Sequence, residues 1–251
     1  MLPVTFLQGL FCIDGHGRKL TGSTAKITGC TRYKRLAANA YAHHPYTRAG
    51  ASSPATRSKT GEITYSSASR LKSLLAQGAR ARRIQANVPI YYTEYGVQTD
   101  PPDPLAGVPP VTQAYWLNLA EQMSYADPRI KSYAQYLLQD PSDVASFQTG
   151  LEFTDGSEKP SFDAYRLPLT VTKAGGSFRI WGGVKPPGGS TSVELQRATS
   201  KNGPFTTAQT LQLSGAHRYF QLSTAQTGFW RLSWTGSDST THLSRVASPG
   251  A

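Results

Sequence analysis

The sequence predicts an α/β region over residues 1–167 followed by an all-β sandwich over 168–251. Three observations carry this. Apolar runs of strand length alternate with segments of helical periodicity as far as about residue 166, the pattern of parallel βα units. From Leu169 the texture changes to short runs of alternating polarity. Turn signals separate those runs, at Gly175-Gly176, 186–189, Asn202-Gly203, Gly215 and Gly236-Ser237. Seven such strands in this span are the pattern of a fibronectin-like or immunoglobulin-like sandwich.

The elements come in order along the chain. Residues 1–13 read as helical or mixed, and Asp14-Gly15-His16-Gly17 turns the chain. The small, apolar stretch 37–44 reads as a strand ending at His43-His44-Pro45-Tyr46. A polar loop occupies 47–62. Residues 66–83 read as a helix, because Leu71, Leu74, Leu75 and Ala79 recur at helical spacing and Ser66 or Ser67 is placed to cap it. Residues 88–93 read as a fully buried strand running into Glu94. Asp100-Pro-Pro-Asp-Pro104 is a rigid loop. Residues 112–125 form a second helix with Ala114, Leu117, Ala120 and Met123 on one side, stopped by Asp127-Pro128. Strand-like runs at 130–138 and 144–151 flank Asp140-Pro141, and a short helix is expected over 159–166. The β region then offers runs at 169–173, 177–184, 192–197, 205–213, 219–222, 228–234 and 241–246.

Composition narrows the function. The 251 residues hold enough aromatic side chains, 10%, to exclude a wholly disordered chain. No apolar stretch reaches the length of a membrane span. The first seven residues carry neither a basic region nor a small-residue cleavage site. The formal charge of +11 is uneven: residues 1–93 hold fourteen Lys and Arg against Asp14 and Glu62 alone. A basic patch can bind nucleic acid. Here the cations are scattered, so a solvated face, or one that meets something acidic, is the better reading. Cys12 and Cys30 are close enough to close a short disulfide loop, and two free buried thiols are the alternative. His16, His43, His44, His217 and His242 show no metal-ligand spacing with acids, and no cofactor is indicated.

Glu94 stands out chemically, a carboxylate directly after a strand with tyrosines at 91, 92 and 95 and Gly96 behind it. In parallel βα architectures the C-terminal strand ends carry the active face. His44-Pro45-Tyr46 sits at another such end, where a His and a Tyr hydroxyl can hold a carboxylate ionised and aimed. Phe147-Gln148 lies at a third.

Ile90-Tyr-Tyr-Thr-Glu94-Tyr-Gly96, with His44-Pro-Tyr46 before it and Gly150-Leu151, Asp155-Gly-Ser-Glu-Lys159-Pro160 and Ala164-Tyr165-Arg166 after it, resembles the C-terminal half of clan A retaining glycoside hydrolases of the cellulase-like, family 5-like kind. The resemblance implies a partial (β/α)8 TIM barrel, about strands five to eight, with Glu94 as nucleophile at the end of strand seven. It places His44 and Tyr46 at strand six, Tyr95 beside the nucleophile and Phe147 as the strand-eight aromatic, all as substrate-binding residues. It also implies an oligo- or polysaccharide substrate, no nucleic acid or membrane partner, and a secreted full-length protein.

Retaining hydrolysis needs two carboxyl groups, one to attack and one to protonate the leaving group. The implied acid/base is a Glu about a hundred residues upstream of the nucleophile, and only Asp14 and Glu62 precede Glu94. The expectation is an N-terminally truncated hydrolase that turns over natural glycosides negligibly. A competing reading is a non-catalytic carbohydrate-binding or cell-surface module using Trp181, Trp230 and Trp234, although tryptophan in alternating strands more often belongs to a core.

Overall fold

The computed structural model describes residues 1–47, 52–185, 189–215 and 218–249. Most of the turn expected at 186–189, and His217, lie outside them. The chain forms two compact units, each assembled from two segments: Met1–Tyr95 with Met123–Gln135, and Gly96–Gln122 with Tyr136–Ala251.

The first unit opens with helix α1, Pro3–Leu10, whose proline occupies the first turn, where a missing N–H is harmless. Phe11 comes next and is fully buried against helix α3, Ala68–Arg80. The contact requires Gly78, since a Cβ there would lie 2.8 Å from the Phe11 ring. Leu71, Leu74 and Leu75 are buried at the expected spacing; Gly78, not Ala79, completes the buried stripe of α3. The cap differs from expectation. Thr64 and Ser67 form a reciprocal capping box around a preceding 3₁₀ turn, Tyr65–Ser67, and the Ser67 side chain is occupied there.

The turn at Asp14 forms as expected. Its carboxylate accepts the N–H groups of His16 and Arg18 and pairs with the Arg18 side chain at 2.8 Å. Gly17 closes the turn at φ +76°, a conformation that favours glycine. A short helix that the periodicity did not reveal, α2 (Gly22–Ile27), comes after it, and Cys30 returns to bond Cys12. Both sulfurs are buried in a small cluster with Ala25, Leu20 and Tyr33. Closing this loop removes freedom from the unfolded chain. Replacing both cysteines with serine is expected to lower stability by about 3 kcal/mol, measured by urea denaturation.

Three parallel strands complete the unit: β1 (Tyr41–His43), β2 (Ile90–Tyr95) and β3 (Ile130–Gln135). They lie in sequence order, with β2 central. The connection from β1 to β2 passes through α3, and that from β2 to β3 through helix α4, Pro110–Tyr125. The β2 strand is not buried on both sides as expected. Ile90 and Tyr92 are buried while Tyr91 and Thr93 are exposed. No closed barrel forms among the described residues.

In the second unit α4 buries Ala114, Leu117 and Ala120 as expected, and also Gln113, Asn118 and Glu121, whereas Met123 near its end is only partly buried. Gln113 donates its amide N–H groups to the Val97 and Gly150 carbonyls at 2.8 and 3.1 Å, and Asn118 and Glu121 are also paired. Asn118 donates to the Ala164 carbonyl and accepts from the Leu169 N–H and the Arg245 guanidinium. Glu121 pairs with Lys185 at 2.8 Å and accepts the Tyr219 hydroxyl. Helix α5, Pro160–Arg166, carries proline and Asp163 in its first turn and Arg166 in its last, matching the helix dipole.

The strand expected at 144–151 is absent, and this corrects the placement of the third strand end. Its backbone is claimed by side chains instead: Asp140 accepts the Gly150 N–H at 2.8 Å, and the Gln148 amide donates to the Asp143 carbonyl at 2.7 Å. Gly150 passes so close to the Asp140 backbone that a Cβ there would lie 2.5 Å from it.

All seven β runs form: β4 (Leu169–Ala174), β5 (Ser177–Gly183), β6 (Thr191–Ala198), β7 (Thr206–Leu213), β8 (Tyr219–Thr224), β9 (Phe229–Thr235) and β10 (Thr241–Leu243). They make two antiparallel sheets, β4-β5-β8 and β10-β9-β6-β7. One shared core joins Leu169, Val171 and Ile180 of the first to Val193, Leu195, Trp230 and Leu232 of the second, as a β-sandwich requires. Trp230 and Trp234 belong to this core, and Trp181, next to core-facing Ile180, is buried in a stack with the Tyr219 ring at 5.1 Å, so the three are 2, 9 and 0% exposed. They offer no open ring face to a sugar, which removes the observation behind the binding-module reading.

Candidate active site

Register brings the two strongest candidates together. His43 of β1 lies opposite Tyr92 of β2, so the next residue, His44, reaches the end of the neighbouring strand. There the His44 Nε2 lies 3.1 Å from Thr93 Oγ1, and its Nδ1 lies 3.6 Å from Glu94 Oε2. Both side chains are open, His44 to 50% and Glu94 to 26%. The carboxylate is thus accessible to a substrate, with the His44 ring beside it at 3.6 Å.

Glu94 owes its direction to a β-bulge. Tyr92 pairs with Tyr133 and Tyr95 with Gln135, so β2 spends one more residue than β3 between these points. Regular alternation would put Tyr92 and Tyr95 on opposite faces. The extra residue lets both be buried and turns the Thr93-Glu94 step outward, a common use of a bulge.

Behind this step lies a tyrosine cluster. Tyr65 meets the Tyr92 and Tyr95 rings edge-on at 4.9 and 4.7 Å, and its hydroxyl bonds Ser124 at 3.1 Å. Tyr46 packs on Tyr95 at 5.6 Å. Burial pushes the Tyr92 and Tyr95 hydroxyls well above their usual pKa, and the Asp127 carboxylate adds to this at Tyr92. Both stay protonated near neutral pH.

His43 has a different task. Its Nε2–H donates to the Ile63 carbonyl at 3.0 Å, tying β1 to the residues before α3. Burial holds its imidazole below the usual pKa, neighbouring His44 pushes the same way, and the Ile63 carbonyl opposes them. The folded chain therefore resists a proton that the unfolded chain accepts. This contribution to stability is complete above the unfolded value, near pH ~6.5, and is lost as pH falls from there through the lower folded value. Stability is expected to drop between pH ~7 and ~5, and His43→Gln to flatten that slope in urea titrations at each pH.

The structure separates the five sequence candidates. Glu94 and His44 meet directly. Tyr46 lies on Tyr95, which is only 3% exposed and so packs behind the site instead of presenting a face to substrate. Phe147 belongs to the second unit, where its ring stands edge-on to Tyr136 at 6.1 Å. Because the third strand is β3, the first aromatic after its end is Tyr136. Two further residues, Thr93 and Tyr65, belong to the site and its support without having been expected there. The alternation of β2 signals Thr93, whereas nothing local signals Tyr65, which joins the cluster only through tertiary packing.

Among the described residues no cluster of His, Cys, Asp and Glu is arranged to hold a metal ion. No described helix is long and apolar enough to cross a membrane.

No family model matches the chain. No curated protein matches it either. Among solved structures it is similar to Bacteroides uniformis beta-glucuronidase 2 covalently bound to cyclophellitol-6-carboxylate aziridine, at 13% identity over 72% of this chain and 24% of that one, with a TM-score of 0.32. A calcium binding mutant of the same enzyme gives 14% identity, 76% and 24% coverage and a TM-score of 0.32. Pectate lyase Pel3 from Pectobacterium carotovorum gives 12%, 33% and 26%, with a TM-score of 0.27. The chain thus spans about a quarter of the length of these structures. Likeness at this level carries no functional argument.

Proposed function

We propose that this chain bears the nucleophile of a retaining glycoside hydrolase, Glu94, acting on an oligo- or polysaccharide. The observation that carries the proposal is the placement of an open carboxylate on a bulge at the C-terminal end of a parallel strand, with His44 of the adjacent strand end 3.6 Å away. A Glu94 oxygen attacks the anomeric carbon, the bond to the leaving oxygen breaks, and water later releases the sugar. His44 positions the carboxylate, and Thr93 holds the His44 ring. The sequential order β1-β2-β3 supports reading these strands as part of a (β/α)8 barrel. The pairing of a three-stranded with a four-stranded sheet supports a fibronectin-like appendage. The Cys12–Cys30 bond supports secretion.

The acid/base partner of such a mechanism is not assigned. Of the upstream acids, Asp14 is bound to Arg18, and Glu62 accepts the Lys59 N–H at 3.1 Å. The test therefore uses a leaving group that needs no proton, a dinitrophenyl glycoside whose sugar carries fluorine beside the anomeric carbon. The fluorine slows release, so the glycosyl-enzyme accumulates. Mass spectrometry across a panel of sugars is expected to show one added sugar, mapped to Glu94. A label on another residue, or none with any sugar, overturns the proposal.

A further inference from the structure

We propose that a basic groove in the first unit seats the anionic groups of an acidic glycan and leads it toward His44. The inference rests on the glycosidic reading of Glu94 and names the substrate class. Three cavities adjoin through shared walls. One, of about 540 Å³, is lined by Pro3, His44, Tyr46 and Glu62. The next, of about 440 Å³, shares Thr47 and Glu62 with it and adds Arg57 and Lys59. The third, of about 430 Å³, shares Arg57 and Ser58 and adds Arg70 with Ser66, Ser69 and Ser73.

The chemistry of these walls favours oxyanions. Arg57 and Lys59 are exposed, and among the described residues their side chains have no hydrogen bond or ion pair. Arg70 braces the loop, with one guanidinium nitrogen donating to Ser58 Oγ at 3.2 Å and to the Lys59 and Glu62 carbonyls. Glu62 is the single carboxylate among the lining residues, and it stands at the end nearer His44. Guanidinium and ammonium groups beside several hydroxyls match carboxylate or sulfate, whereas a neutral sugar is held chiefly by aromatic faces and amides. The wider field agrees. The segments of the first unit carry sixteen Lys and Arg against four acids, and those of the second ten against eleven.

The test measures binding of the full chain to polygalacturonate, heparin and neutral dextran at one fixed, near-physiological salt concentration. The double variant Arg57→Ser/Lys59→Ser leaves the backbone acceptors of Arg70 in place and is expected to lose about tenfold or more in affinity for the preferred acidic polymer. Lys26→Ser/Arg80→Ser removes the same charge from exposed positions on α2 and α3 and is expected to change it less than about twofold. Preference for polygalacturonate assigns the groove to carboxylates, and preference for heparin to sulfates. Equal losses in the two variants, or dextran bound as tightly as either acidic polymer, overturns the proposal. Tighter binding of a DNA oligonucleotide through Arg57 and Lys59 overturns it as well, in favour of a phosphate backbone. The catalytic reading is checked separately by fluoro-sugar labelling of the unaltered chain. Selective loss of acidic-polymer binding without any labelling of the unaltered chain keeps the groove and removes only the glycosidase.

Discussion

Replacing Glu94 with glutamine is expected to lower release of dinitrophenolate from an activated aryl glycoside by on the order of a thousandfold or more, the scale at which loss of a catalytic nucleophile is felt. Glutamine keeps the shape of the side chain and removes the negative oxygen that attacks. Glu94 is partly open near a strand end and, among the described residues, makes no side-chain hydrogen bond to the backbone that would fail on substitution, so the fold is expected to survive, with an unchanged urea midpoint. Glu94→Ala with added azide supplies a readout that a structural role does not move. The small anion enters the space of the lost carboxylate, and turnover returns with the opposite stereochemistry at the anomeric carbon. His44→Ala is expected to cost less, about 10- to 100-fold, because the ring aims the carboxylate and does not attack. Full activity in Glu94→Gln would remove the residue from the mechanism.

Replacing Lys159 with methionine is expected to cost about 3–5 kcal/mol, a large share of the stability of an ordinary domain. Lys159 and Asp140 form an ion pair at 2.6 Å with neither side chain exposed. The ammonium also donates to Thr99 Oγ1 at 2.8 Å and faces the Phe153 ring at 5.1 Å. Asp140 holds the Gly150 N–H with its other oxygen. Burial depresses the Lys159 pKa and its partner Asp140 raises it, so the pair is a balance between desolvation and attraction. Taking away the lysine leaves a carboxylate in the interior with no counter-charge. Adding Asp140→Asn to Lys159→Met removes that charge while keeping the acceptor for Gly150, and is expected to recover about 2 kcal/mol. Urea denaturation of the two single variants and the double variant measures the coupling. A loss below about 1 kcal/mol in Lys159→Met would mean that water reaches the pair.

The range of the forces involved decides how much of this fold is legible in the chain alone. The seven β runs are readable because alternation and turn residues act over a few positions, and each run finds its place in a sheet. Helices α3 and α4 are readable from the spacing of Leu71, Leu74 and Leu75 and of Ala114, Leu117 and Ala120. Residues 144–151 mislead because their apolar content resembles a strand, while the competitors for their backbone, Asp140 and Gln148, act through side chains that no periodicity records. Helix α2 is six residues long, too short to show a period.

The candidate site divides along the same line. Local signals place Glu94 and His44 near the ends of two strands, although Glu94 falls inside β2 and β1 closes at His43, one residue before His44, because strand ends are set by pairing as well as by the run itself. Tertiary packing alone brings these two ends together, bonds Cys12 to Cys30, and places the bulge that buries Tyr95 while turning Glu94 outward. Each of those outcomes depends on pairing between residues far apart in the chain. Register between strands is set by the total burial they share, and no short stretch of sequence contains that sum.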